Sequence, residues 1–139
     1  MKKLFVTFLL IFFSFLNQNL LSKDNAEIQK IFEGLNLPAH ISKNDFISPN
    51  SIFILEHKLG HIKEINDYNK SPTINPNPIL NIQPLLTESE SWEQGFNGFA
   101  FSPNFKKDKY IFVSYNNKKN QIVLSRFKYD ETIKQAKIS

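Results

Sequence analysis

The sequence predicts an all-β chain of the β-propeller kind, preceded by an export segment and a short helix. Three observations predict it. Strand-length apolar runs alternate with turns rich in Asn, Lys, Pro and Asp. One strand–turn–strand unit, marked by the tetrapeptide Ser-Pro-Asn after an apolar residue, occurs twice. The first twenty-two residues have a layout of their own, unlike the rest of the chain.

That first segment holds five of the fourteen Phe residues. Met1-Lys2-Lys3 is a positive start, Leu4 to Leu16 is uncharged and apolar, and Asn17-Gln18-Asn19 ends the run. A run of thirteen residues is too short for a comfortable membrane span, which takes about 20 residues. Residues 1–22 therefore read as a secretory signal peptide, and the expected location is periplasmic or secreted, without a stable membrane span. Loss of Lys2 and Lys3 with the signal lowers the formal charge from +4 to +2, so the basic balance comes partly from targeting and argues against nucleic acid. With no Cys, the 139-residue chain has no disulfide, thiolate metal site or cysteine nucleophile.

Residues 23–45 read as a leader. Within it, Asn25 to Gly34 carries Ile28, Ile31 and Phe32 at helical spacing, with Gly34 as a stop and Pro38 beyond. The β domain is expected over residues 46–139. Ile52 to Leu55 is a buried strand, Lys58-Leu59-Gly60 a turn, and His61 to Ile65 a strand alternating polar with apolar. Asp67 to Pro78 is a loop, and Pro84 demotes Ile79 to Leu86 to an edge or irregular strand. Thr87 to Gln94 is a polar loop holding the single Trp. Phe96 to Phe101, Tyr110 to Tyr115 and Gln121 to Tyr129 complete the strands, the last with Ile122, Leu124 and Phe127 on its apolar side.

The repeat decides the architecture. Ile47-Ser48-Pro49-Asn50 and Phe101-Ser102-Pro103-Asn104 stand 54 residues apart, and each leads into strand, turn, strand. Repeating small sheets are the blades of a propeller, of which this length holds one to two; a β-sandwich with recurrent Pro-Asn turns is the other arrangement that fits. On the propeller reading the two sheets are separated by the connection from Asp67 to Glu93, with Phe99, Phe101, Ile111 and Val113 inside the second, and two broad apolar faces are left without neighbours.

Four segments, in order over about residues 46–129, resemble the soluble glucose/sorbosone dehydrogenase family. Ile52 to Ile62 looks like that family's strand–Glu–Gly–strand hairpin. Glu93-Gln94-Gly95-Phe96-Asn97-Gly98-Phe99-Ala100-Phe101-Ser102-Pro103-Asn104-Phe105 is similar to its segment with Gly-Leu-Leu-Gly and Ala-Phe-His-Pro-Asp-Phe. Tyr110 to Tyr115 and Leu124-Ser125-Arg126-Phe127 match the two strands that follow. The resemblance implies the N-terminal part of a six-bladed propeller that uses pyrroloquinoline quinone (PQQ) and calcium to oxidise an aldose. It places Glu93 near the sugar and gives Gly95 and Gly98 a backbone role. Ser102 stands where the family has His, and Asn97 where it has Leu. The family's catalytic His, quinone contacts and calcium ligands belong to later blades, so no catalytic or metal-binding residue is assigned to this chain, and PQQ and calcium are implied for the family only.

Other chemistry is sparse. Glu56, His57 and His61 flank one turn, but alternation sends Glu56 and His57 to opposite faces, which argues against a metal site. There is no nucleophile elbow, phosphate loop or dinucleotide fingerprint. Lys106-Lys107-Asp108-Lys109 and Lys118-Lys119 are basic turns of the sort that protect sheet edges. The sequence thus points to part of an exported aldose dehydrogenase-like protein, inactive alone, with a possible sugar ligand and with missing blades or a protein partner to complete it. The alternatives are a non-catalytic exported binding module for sugar or protein, and an unrelated small exported β domain. If the export reading holds, mass spectrometry of the periplasmic or secreted chain finds a mature N-terminus near Lys23; a chain retaining Met1 overturns the cleavage.

Overall fold

The computed structural model describes residues 27–138, so the signal peptide reading lies outside the described residues. The chain is all-β. Two antiparallel meanders run β1 (Pro38–Ser42), β2 (Ile52–Glu56), β3 (His61–Asn66) and β6 (Phe96–Phe101), β7 (Tyr110–Asn116), β8 (Ile122–Asp130). Three two-residue strands supplement them: β4 (Thr73–Ile74), β5 (Leu80–Asn81) and β9 (Gln135–Ala136). β4 and β5 both pair with β3, and β9 continues the second meander beyond β8. The sequence reading expects two separate sheets; instead a parallel Leu80↔Ala136 pairing joins β5 to β9 and makes the two units one sheet.

The Ser-Pro-Asn repeat holds equivalent places, between the first and second strands of each unit. After the second copy the chain makes one helical turn, α1 (Phe105–Asp108), where Lys109 at φ 59° ends it. Ser102 ties that corner together. Its hydroxyl donates to Asp108 Oδ2 at 2.6 Å and accepts from the Asn104 amide at 3.1 Å. The Ser102 hydroxyl first, then the Tyr110 amide, hold the Asp108 carboxyl below the ordinary carboxylate range.

Packing follows from strand alternation. β2 buries all five residues because both its faces are covered. Phe53 and Leu55, with Ile62 of β3, face the second unit, where Phe96, Phe99, Ile111, Val113 and Phe127 meet them in one core. Phe53 lies edge-on to Phe101 at 5.1 Å, and Phe101 in turn contacts the Phe99 and Phe105 rings. Of the four residues expected inside the second sheet, Phe99, Ile111 and Val113 are buried, and Phe101 is half-buried against the core.

Three expectations change. Residues 27–35 form no helix; they run irregularly across the outer face of β2 and β3, where Phe32 and Leu35 pack on Ile52, Ile54 and Ile65. That segment covers one of the two faces expected to be open. Next, the strand Pro38–Ser42 lies inside the stretch read as leader, so pairing begins eight residues before the expected start of the domain at residue 46. Finally, Ile122 and Leu124 do not share a side with Phe127. Parity puts Val123, Phe127 and Tyr129 inward, and leaves Ile122 and Leu124 outward at 79% and 76% exposure.

Phe53 is the test of this core. Truncating a fully buried Phe removes its transfer energy and leaves a cavity, so Phe53→Ala should cost about 3–5 kcal/mol, while Lys118→Asp on an exposed turn should change stability by less than about 0.5 kcal/mol. Chemical denaturation of the two variants measures the difference. Equal midpoints would reject the shared core.

Candidate functional site

The segment carrying Glu93 packs where the two units meet at one end. The β2–β3 turn offers its His57 carbonyl to the Phe96 amide at 3.0 Å, and the Asn116 amide donates to the Gly95 carbonyl at 2.9 Å. Gly95 is required by this close approach: a Cβ there would lie 2.8 Å from His57 Nε2 and 2.9 Å from the His57 carbonyl oxygen. Buried Asn116 completes the junction, its Oδ1 accepting from Asn97 Nδ2 at 3.0 Å and from the Gly95 amide at 3.4 Å. Asn97, where the resembling family has Leu, sits at the register shift between Phe96 and Gly98 and reaches across to Asn116. Gly98 has open space around it, so no packing contact demands a glycine there.

The loop before Gly95 is held by one cation. Lys58 Nζ donates to the carbonyls of Ser89 at 3.1 Å, Gln94 at 2.6 Å, and Ser91. The ammonium gathers both ends of the loop and leaves its tip in solvent. Trp92 and Glu93 are both exposed there, and the Glu93 carboxylate has no hydrogen bond or ion pair among the described residues. Glu93 is therefore presented rather than enclosed, on a tip fixed at its base. An exposed indole beside a free carboxylate can stack on an apolar face and accept hydroxyl hydrogen bonds.

Strand alternation divides Glu56, His57 and His61 as expected. His57 Nδ1 donates to the Phe96 carbonyl at 2.9 Å, which places the ring proton on Nδ1, while Nε2 is sealed against Gly95. Glu56 and His61 pair across the outer face, with Glu56 Oε2 3.5 Å from His61 Nδ1 and Glu56 Oε1 accepting from the Asn36 amide at 2.9 Å. The carboxylate thus anchors the N-terminal segment to the sheet. Among the described residues no three His, Asp or Glu surround a point that a metal could occupy.

PQQ and calcium make specific demands. A tricarboxylate quinone needs cationic donors, and calcium takes six to eight oxygen ligands. At this end Lys58 is already engaged with three carbonyls, Glu88, Glu90 and Glu93 are acids, and the other cation beside Lys58 and Glu88 is Lys118 on an exposed turn, one donor where three carboxylates would need several. The residues described here do not fit that pair of groups.

No protein-family model and no curated protein matches the chain. Among solved structures, the PQQ-bound form of an aldose sugar dehydrogenase from Streptomyces coelicolor is similar, with a TM-score of 0.62 at 18% identity. The likeness covers 80% of this chain but 31% of that one, so the chain spans about a third of its length. At that identity the shared property is the fold, and the two meanders packed face to face are consistent with part of a propeller's blade arrangement.

The Glu56–His61 pair yields a pH dependence. Burial, then Lys63, holds His61 below its ordinary value of 6.5, against the smaller opposing pull of Glu56. The folded state therefore binds its proton less readily than the unfolded chain, so this contribution to stability is complete above pH 6.5 and declines as the pH falls below it. The melting temperature should drop between pH 7 and 5, and His61→Gln should flatten that part of the profile. An unchanged profile in the variant would place the titration elsewhere.

Proposed function

We propose that this chain is part of an exported, PQQ-dependent aldose dehydrogenase-like propeller, and that on its own it does not turn over sugar. The observation that carries the reading is a coincidence of motif and fold. The Glu93-to-Phe105 segment, which resembles the sugar dehydrogenase family, forms β6 and the turns on either side of it in a fold similar to a PQQ-bound aldose sugar dehydrogenase. On this reading Glu93 accepts hydrogen bonds from sugar hydroxyls at the mouth of the complete protein. The base, the quinone cradle and the divalent ion come from other blades, because abstraction from an aldose needs a general base within hydrogen-bonding reach and His57 Nε2 is sealed. Export through residues 1–22 fits a periplasmic or secreted protein, and no helix among the described residues is long and apolar enough to cross a membrane.

The outer face of β6–β8 supports incompleteness. Ile122 and Leu124 stand exposed beside half-buried Phe112, whereas the matching face of the first unit is covered by Phe32 and Leu35. One further sheet on that face would bury the strip, as the first unit buries the opposite side. The second reading, a binding module without redox chemistry, is favoured by the presented Trp92–Glu93 tip, which needs no cofactor to hold a ligand.

The purified chain, with glucose, PQQ, calcium and an electron-accepting dye, should reduce dye no faster than a blank without protein. It should also self-associate or require a partner, and Leu124→Lys should shift it toward monomer on size-exclusion chromatography. Turnover above the blank that is lost in Glu93→Ala would overturn the division of labour. A sharply monomeric wild-type chain would overturn the open face.

A further inference from the structure

The strand ends opposite the Glu93 loop enclose a cavity of about 460 Å³, with Phe46, Glu64, Asn66, Tyr129, Glu131 and Lys134 in its lining. Its central feature is a carboxylate on the wrong side of a strand. Ile62 and Glu64 lie on the same face of β3, and Glu64 pairs with the core residue Phe53 in register, so alternation turns it toward the second unit. Glu64 is only 8% exposed, yet it has no ion-pair partner among the described residues. One of its oxygens accepts a long 3.4 Å contact from Asn75 Nδ2, and the other has no hydrogen bond.

Tyr129 reaches the cavity from β8. It is 6% exposed, and its hydroxyl has no partner among the described residues. Burial first, then the charges of Glu64, Glu131 and Asp130, pushes the phenol up to about 12, so it stays a neutral hydroxyl. The charges that act on it are all carboxylates. The nearby cation Lys109 is bound to Glu131 at 2.7 Å, and Lys134 is an exposed turn residue at the rim.

We propose that this cavity binds an organic cation, a primary ammonium or guanidinium group, with Glu64 as counter-charge and the Tyr129 hydroxyl as a second acceptor. An ammonium carries only donors, and the unpartnered Glu64 oxygen and the phenol oxygen both accept. One Glu64 oxygen serves Asn75, and the other opens into the cavity instead of being sealed in the packed core, so a partner of opposite charge can reach it there. An incoming cation supplies the missing partner. Among the described residues no three His, Asp or Glu converge on a point that a metal could occupy, which favours the organic cation. The site stands apart from the Glu93 loop and does not depend on the dehydrogenase reading.

Calorimetric titration of the full chain with butylammonium and with agmatine tests the proposal, using 1-butanol and glucose as neutral controls. Saturable binding of the amines is expected, with no heat of binding from the alcohol or the sugar. Glu64→Gln should weaken amine binding at least tenfold, the scale of a lost charge-assisted hydrogen bond, and Lys134→Ala should tighten it severalfold by removing a competing ammonium. Should Glu64→Gln melt too low to assay, Tyr129→Phe, which keeps the packing, should weaken binding about threefold or more. Equal binding of 1-butanol, no binding of either amine, or an unchanged affinity in the assayable variant overturns the site.

Discussion

The structure depends on one contact: the row Phe53, Leu55 and Ile62 pressed against Phe96, Phe99, Ile111, Val113 and Phe127 of the second unit. A small antiparallel sheet that is apolar on both faces cannot stand alone in water, because each face exposes more than its backbone hydrogen bonds can offset. β2 is the extreme case, with no residue left for solvent. Its inner face has the second unit. Its outer face has Phe32 and Leu35, pulled across the sheet and fixed by the Asn36 amide on Glu56. The N-terminal segment thus does for the first unit what a neighbouring sheet does elsewhere, and among the described residues the fold is capped on one side only.

Legibility in the sequence followed hydrophobic contrast. β6, β7 and β8 are apolar-rich runs between polar turns, legible nearly to their ends, and the Ser-Pro-Asn repeat marks equivalent corners; the inward face of β8 is not legible, because Ile122, Val123 and Leu124 are apolar in succession. β1 was not read, because Pro38-Ala39-His40-Ile41-Ser42 is almost wholly exposed; β2 makes it a strand by pairing with it. The expected helix failed for a related reason. Ile28 is fully in solvent, and Phe32 and Leu35 gain more from the apolar face of β2–β3 than an isolated ten-residue helix gains from its own hydrogen bonds. β9 has two residues and exists through its neighbours β8 and β5.

The candidate sites divide the same way. Glu93 was found through resemblance, since nothing in the local pattern distinguishes it from an ordinary loop acid. The Lys58 clamp beneath it was invisible, because a lysine bound to three carbonyls at positions 89, 91 and 94 has no sequence signature. Glu64 did have one. In His61-Ile62-Lys63-Glu64-Ile65 the period of two puts Ile62 and Glu64 together and Lys63 and Ile65 together, so neither face is cleanly apolar. A strand that breaks its own alternation while it stays buried is declaring a polar requirement on a packed face.

That requirement bears on how the two ends of the sheet pair differ. At the Gly95 end the buried groups that position the loop are matched: Asn116 serves Gly95 and Asn97, and Lys58 serves three carbonyls, while the atoms left without a hydrogen bond, His57 Nε2, Glu56 Oε2 and His61 Nδ1, are sealed by packing and face no space. A closed network of that kind rigidifies the backbone and presents its loop tip outward. At the Glu64 end the buried groups open into a cavity instead, and their unmatched atoms are all acceptors or a neutral hydroxyl. Matched groups hold a structure; unmatched ones, where they face a space large enough for a ligand, describe what is missing from it. By that criterion the Gly95 end acts as scaffold for the residues it displays, and the Glu64 end has the chemistry of a receptor.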